Sequence, residues 1–158
     1  MARQTFFSFH YQRDIFRVNV VRKSTAFAQL AHQGIFDHSL WESAKGIGGD
    51  PALQRMIDRG LLGASVTVVL IGLETHRRRW VKYEIQRSHA SRKGLLGVDI
   101  TKIKNVGKET DPTGPNPFVK LGIVDYDGKP IRVHRWNNDD GFHNLVTWVE
   151  EAARRAGR

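Results

Sequence analysis

Hydrophobic positions along the chain fall into short apolar runs separated by amphipathic stretches, the alternation expected of strands joined by helices. Thr5 to His10 is a short aromatic run with partial alternation and predicts a first strand. The mixed segment from Ile15 to Leu30 fits either a helix capped by Asp14 or a valine-rich strand. Helix is preferred, because parallel strands need a crossover between them. Gly34 to Asp37 predicts a short second strand. Asp50-Pro51 then starts a helix with Leu53, Met56 and Ile57 on one face, and Gly60 and Gly63 mark its end. Val66 to Ile71 is nearly all β-branched and predicts a central strand covered on both faces. Thr75 to Arg92 reads as a helix and Leu95 to Ile100 as another strand. Thr101 to Pro117 is a long polar connection, either functional or a decoration. The Asp127-Gly128 step between Gly122–Tyr126 and Ile131–Trp136 predicts a hairpin. Phe142, Leu145, Val146, Val149, Ala152 and Ala153 mark one face of a last helix, with Arg154, Arg155 and Arg158 at its end.

This order predicts an α/β fold, a mainly parallel central sheet flanked by helices. The 158 residues fit one domain, 1–158, since single cores run to about 100–200 residues. Ligands of such sheets bind outside the carboxyl ends of the strands. That rule selects His10 to Asp14, Asp37 to Trp41 and Gly72 to Glu84.

Composition narrows the chemistry. A hydrophobic fraction of 40% excludes a disordered tail, and the absence of cysteine excludes thiolate catalysis and Cys-built metal sites. The histidines show no metal-ligand spacing, so no metal is expected. No apolar run is long enough to span a bilayer, and the first residues lack a signal-peptide core, so a cytoplasmic protein without membrane contact is expected. The net charge of +9 calls for an anionic partner. Nucleic acid is one candidate, but the densest cluster, Arg77 to Arg79 with Lys82, is interleaved with Trp80 and Tyr83 and suits a dinucleotide equally well. Trp80 and Glu84 stand at i, i+4 on one helical face. Trp80 could form the wall for a planar ring, or be ordinary packing. Glu84 could be a functional carboxylate, or a solvated charge paired with Arg87.

The blocks FFSFHYQRD, GIFDHSLWE, GASVTVVLIGLETHRRRWVKYEI and GLLGVDI, followed by TDPTGPNPF, stand in an order that resembles the TIR-like domain of the Thoeris anti-phage defence family, over roughly residues 4–150. The resemblance implies a flavodoxin-like TIR fold and consumption of NAD+ as substrate, with no separate cofactor. It also implies a cyclic or modified ADP-ribose signal that reaches a separate effector protein and a phage trigger; a homo-oligomer is a further candidate assembly, whose subunit number the sequence leaves open. The family's catalytic glutamate lies in a motif of the kind W-V-x-Y-E, which Trp80-Val81-Lys82-Tyr83-Glu84 fills, so the resemblance assigns catalysis to Glu84. The familiar TIR pattern has a small residue or Cys before that Glu, and this chain has Tyr83.

Substrate-contacting candidates follow from strand ends. Ser8, Phe9 and His10 could meet the nicotinamide ribose and phosphates, or be strand-end packing. Arg13 could neutralise a pyrophosphate or be a solvated loop residue. Asp37 could hold a ribose hydroxyl, with Trp41 beside it or in the core. Gly72, Thr75 and Trp80 complete the set, Thr75 being also a candidate helix cap. Two rival functions remain: a non-catalytic TIR-type interaction module, and a basic nucleic-acid-binding domain with steeply salt-dependent binding.

Overall fold

The computed structural model describes residues 3–24 and 49–158. Strand β1 (Thr5–Ser8) leads into helix α1 (Tyr11–Arg22). Helix α2 (Gly49–Leu62) precedes β2 (Val66–Ile71), a 3-10 turn (Thr75–Arg77) and α3 (Arg79–Ala90). Strand β3 (Gly94–Asp99), the short α4 (Pro117–Leu121), β4 (Val133–Arg135) and α5 (Gly141–Arg155) complete the chain. Among the described residues the strands form one sheet in the order β1-β2-β3-β4, every pair parallel. The strand order does not reverse within these residues. The expected strand at Gly34–Asp37 lies outside them.

Side-chain alternation along the strands sorts the core into two layers. Phe7 and Phe9 of the first strand segment, with Val66, Val68, Leu70, Leu96 and Val98, pack against α1 and α5. On the opposite face Val69, Ile71 and Leu95 meet Val81 and Ile85 of α3 and Phe118 of α4, while Phe6 meets Leu53, Ile57 and Leu61 of α2. The all-buried β2 is the central strand that its β-branched run predicts.

Five elements differ from expectation. Helix α1 starts at Tyr11, because His10 caps it by accepting from the Arg13 N–H through Nδ1 at 3.4 Å, and Asp14 is buried within the first turn. Helix α2 runs through Gly60 to Leu62, where burial of Leu61 outweighs the modest cost of an internal glycine. The single helix expected over Thr75–Arg92 breaks at Arg78, whose backbone is extended, and ends before Arg92, which sits at φ 52°. The expected hairpin reduces to its turn and one antiparallel bridge, Val124 to Pro130. Residues Val133–Arg135 instead extend the sheet in parallel with β3, whose open edge offers a ladder; an isolated hairpin is marginal in water. On α5, Trp148 joins the buried stripe, whereas Phe142 is exposed.

Candidate functional site

The turn after β2 is built by close approach. Gly72 donates its backbone N–H to the Thr75 hydroxyl at 2.8 Å, and that hydroxyl donates in turn to Asp14 Oδ2 at 3.4 Å. A Cβ at position 72 would stand 2.1 Å from Asp14 Oδ2, so only glycine fits. Asp14 is fully covered, and burial pushes its carboxyl above the ordinary value, an effect that Arg13 and Arg17 oppose. The connection from Thr101 to Pro117 is strapped over this turn. Asp111 accepts from Arg13 and from the buried Arg17 at 2.7 Å each, and Arg17 also donates to the Ile103 carbonyl at 2.6 Å. Gly114 lies so close to Gly72 that a Cβ there would stand 2.1 Å from the Gly72 oxygen.

The carboxyl end of the central strand is therefore occupied by the chain itself. Thr75 and Gly72 spend their polar groups on each other and on Asp14. Arg13, also 3.4 Å from Glu74, already faces three carboxylates. Sequence reasoning assigned Asp14 to a helix cap and did not single out Arg17 or Asp111. The i, i+3 spacing of Asp14 and Arg17 near the end of β1 is a signal for Arg17; no local spacing marks Asp111, 94 residues further on.

Glu84 lies elsewhere, on the sheet-facing side of α3 between Val81 and Ile85, and is fully buried. Helix α3 is registered over β2 by Ser88, whose hydroxyl donates to the Glu84 carbonyl at 2.6 Å and lies 2.7 Å from the Thr67 hydroxyl. One turn back along α3, Glu84 is set toward the carboxyl-terminal half of β2. Ser8 pairs with Val69 and, by alternation from Phe6, points to this same face. Its hydroxyl is buried with no hydrogen-bond partner among the described residues. Phe9 faces the other way, in the core under α1, so the structure separates it from Glu84. His10 is used as the cap. Asp37 and Trp41 lie outside the described residues.

The outer side of α3 carries a cavity of about 460 Å³, lined by Arg77, Arg79, Trp80, Lys82 and Tyr83 with Gln54 and Gln86. That volume lies within the roughly 300–1,000 Å³ of small-molecule pockets. Trp80 meets Tyr83 edge-on at 5.7 Å, the Arg79 guanidinium lies 4.7 Å over the Trp80 ring, and the Tyr83 hydroxyl donates to Asp58 at 2.6 Å. Three cations and two aromatic rings around one opening suit a ligand with phosphates and a flat ring. Glu84 does not line this opening, whereas the half-buried Trp80 does. Among the described residues no group of three metal-binding side chains occurs, and no helix is long and apolar enough to cross a membrane.

Comparison with known proteins agrees with this architecture. Residues 6–105 match the family model described as Thoeris protein ThsB, TIR-like domain. A Bacillus cereus (strain MSX-D12) protein named "Putative cyclic ADP-D-ribose synthase ThsB1" is 47% identical over 140 residues, covering 86% of this chain and 72% of that protein. The crystal structure of the TIR domain of the Toll-related receptor TRR-2 from Hydra magnipapillata superposes with a TM-score of 0.55 at 10% identity, covering 96% of this chain and 98% of that one. The last likeness establishes the fold alone: α/β, TIR-type.

Proposed function

Because this chain belongs to the Thoeris ThsB TIR-like domain family, we propose that it consumes NAD+ and releases a cyclic ADP-ribose-type signal, with Glu84 as the catalytic residue. The observation that carries the proposal is the burial of Glu84 within Trp80-Val81-Lys82-Tyr83-Glu84, on the helix that follows the central strand and on the same sheet face as Ser8. The name of the Bacillus cereus relative supports the cyclic product.

The chemistry requires little more than one carboxylate. Nicotinamide is bound to ribose as a cation and leaves as a neutral ring, taking the electrons of the C–N bond. No general acid is needed, in contrast to glycosidases that work with two carboxyl groups. The anomeric carbon left behind carries oxocarbenium character, which an oriented carboxylate in a water-poor site stabilises. Ring closure forms a bond from that carbon to an adenine nitrogen or a second ribose hydroxyl, and a proton is released. Holding the adenosine end near the reacting carbon makes closure outrun hydrolysis. The product would act on a separate effector, with NAD+ the substrate and no further cofactor.

The test is product analysis in cells carrying the protein, with and without phage, by chromatography and mass spectrometry of ADP-ribose species. Wild type is expected to produce nicotinamide and a cyclic ADP-ribose isomer, and Glu84→Gln, an isosteric change, to produce neither while keeping its circular dichroism spectrum. A folded Glu84→Gln variant with full product yield would overturn the assignment. A wild type that makes no product under either condition would favour the interaction-module reading.

A further inference from the structure

Lys93, immediately before β3, is buried to 5% exposure at the amino end of the sheet, away from the strand ends that face Asp14 and Thr75. Its ammonium donates to the Ala64 carbonyl at 2.6 Å, and no carboxylate lies within ion-pair distance of it among the described residues. An ammonium has three donors, so one carbonyl leaves most of its capacity and all of its charge unanswered. Burying an unpaired charge is costly.

Lys93 lines a cavity of about 230 Å³ together with Arg87, Ser91 and Arg158, walled by Leu61 and Leu62 and bordered by Asp58. Among the described residues three cationic side chains thus meet a single carboxylate side chain, Asp58, which is engaged with Arg87 at 3.3 Å and with the Tyr83 hydroxyl. Arg158 is held in place by donating to the Arg92 and Ser91 carbonyls at 3.1 and 2.8 Å. Burial, with a smaller contribution from the Arg158 charge, holds the Lys93 amine below its ordinary pKa.

We propose that this cavity is a binding site for a phosphate group, inorganic or carried on a small ester, held by Lys93, Arg87 and Arg158. A phosphate there supplies the missing counter-charge, accepts the unused Lys93 donors, and relieves the repulsion from Arg158. It also ties the end of α2, the end of α3 and Arg158 together. The site is independent of Glu84, whose carboxylate lies on the buried face of α3 nearer the opposite end of the strands.

The test is calorimetric titration of the full chain with inorganic phosphate and, separately, glycerol 3-phosphate, at constant ionic strength set with chloride. Wild type is expected to bind at least one of them. Preference for the ion or the ester identifies which form the cavity takes. Lys93→Met and Arg158→Gln are each expected to weaken binding about tenfold, the effect of one charge-assisted hydrogen bond. Arg158 is exposed, so Arg158→Gln decides the matter even where loss of Lys93 disturbs folding. No binding of either probe to wild type would overturn the proposal. So would equal binding by Arg158→Gln, which would put the anion among the cations beside Trp80 instead.

Discussion

Replacing Asp111 with Ala removes one carboxylate and leaves two guanidinium groups without it. Its Oδ2 accepts from Arg13 and Arg17 at 2.7 Å, and the Asp111 and Arg17 side chains are only 17% and 4% exposed. Exposed ion pairs are worth about 0.2–1 kcal/mol, whereas stripping a partner from a fully buried charge costs about 3–5 kcal/mol. Arg17 keeps its bond to the Ile103 carbonyl, so the cost here falls between these limits, about 2–3 kcal/mol. For a domain of this size that lowers the melting temperature by about 5–10 °C. Thermal and urea unfolding of Asp111→Ala, Arg17→Met and the double variant form the assay. If the unpaired Arg17 charge is the source of the loss, the double variant costs clearly less than the two single losses combined. The pH dependence has a definite sign. The hydrogen bond from Arg13, aided by Arg17, holds the Asp111 carboxyl below its ordinary value of 3.8. The stabilisation is therefore fully present above that value and is lost as pH falls through the lower, folded-state value. Asp111→Asn should flatten this acid limb. A drop in melting temperature below about 1 °C for Asp111→Ala, or strict additivity in the double variant, would refute the strap.

Further outcomes follow from the same geometry. Gly114→Ala drives a Cβ to within 2.1 Å of the Gly72 oxygen and should cost about 1–3 kcal/mol by overpacking, read from denaturant midpoints. An unchanged midpoint would mean the strap does not rest on Gly72. His134 stacks on Trp148 at 4.1 Å, and burial lowers its pKa below 6.5. Stability should accordingly fall as pH drops below about 6.5 toward the folded-state pKa, and His134→Phe, which keeps the stack, should remove that slope from melts at pH 5 to 7.5.

Much of the fold was legible because it rests on local rules. The nearly all β-branched run of Val66–Ile71 suits a central parallel strand buried on both faces, and it forms one. Leu145, Val149, Ala152 and Ala153 repeat at helical spacing and bury one face of α5. Glu84 was singled out through its motif, and its position on the sheet-facing side of α3 follows from Val81 and Ile85 beside it. What failed was competition between local and distant partners. Val133–Arg135 has a nearby turn partner in sequence, yet the open edge of β3 takes it. Thr75 looked like a cap or a ligand group, and its hydroxyl is used by Gly72 and Asp14.

The net charge of +9 and the order of strands and helices were properties of the chain alone, and so was the motif that carries Glu84. Which cations are already matched was decided only by tertiary contacts. Arg13 and Arg17 face carboxylates, Arg77 and Lys82 line an open cavity, and Lys93 is buried with no counter-ion among the described residues. The reason is physical. Hydrophobic periodicity acts over a few residues and survives in one dimension, whereas Coulomb interactions depend on distance and burial, which pairs 94 residues apart, such as Arg17 and Asp111, acquire only when the chain folds.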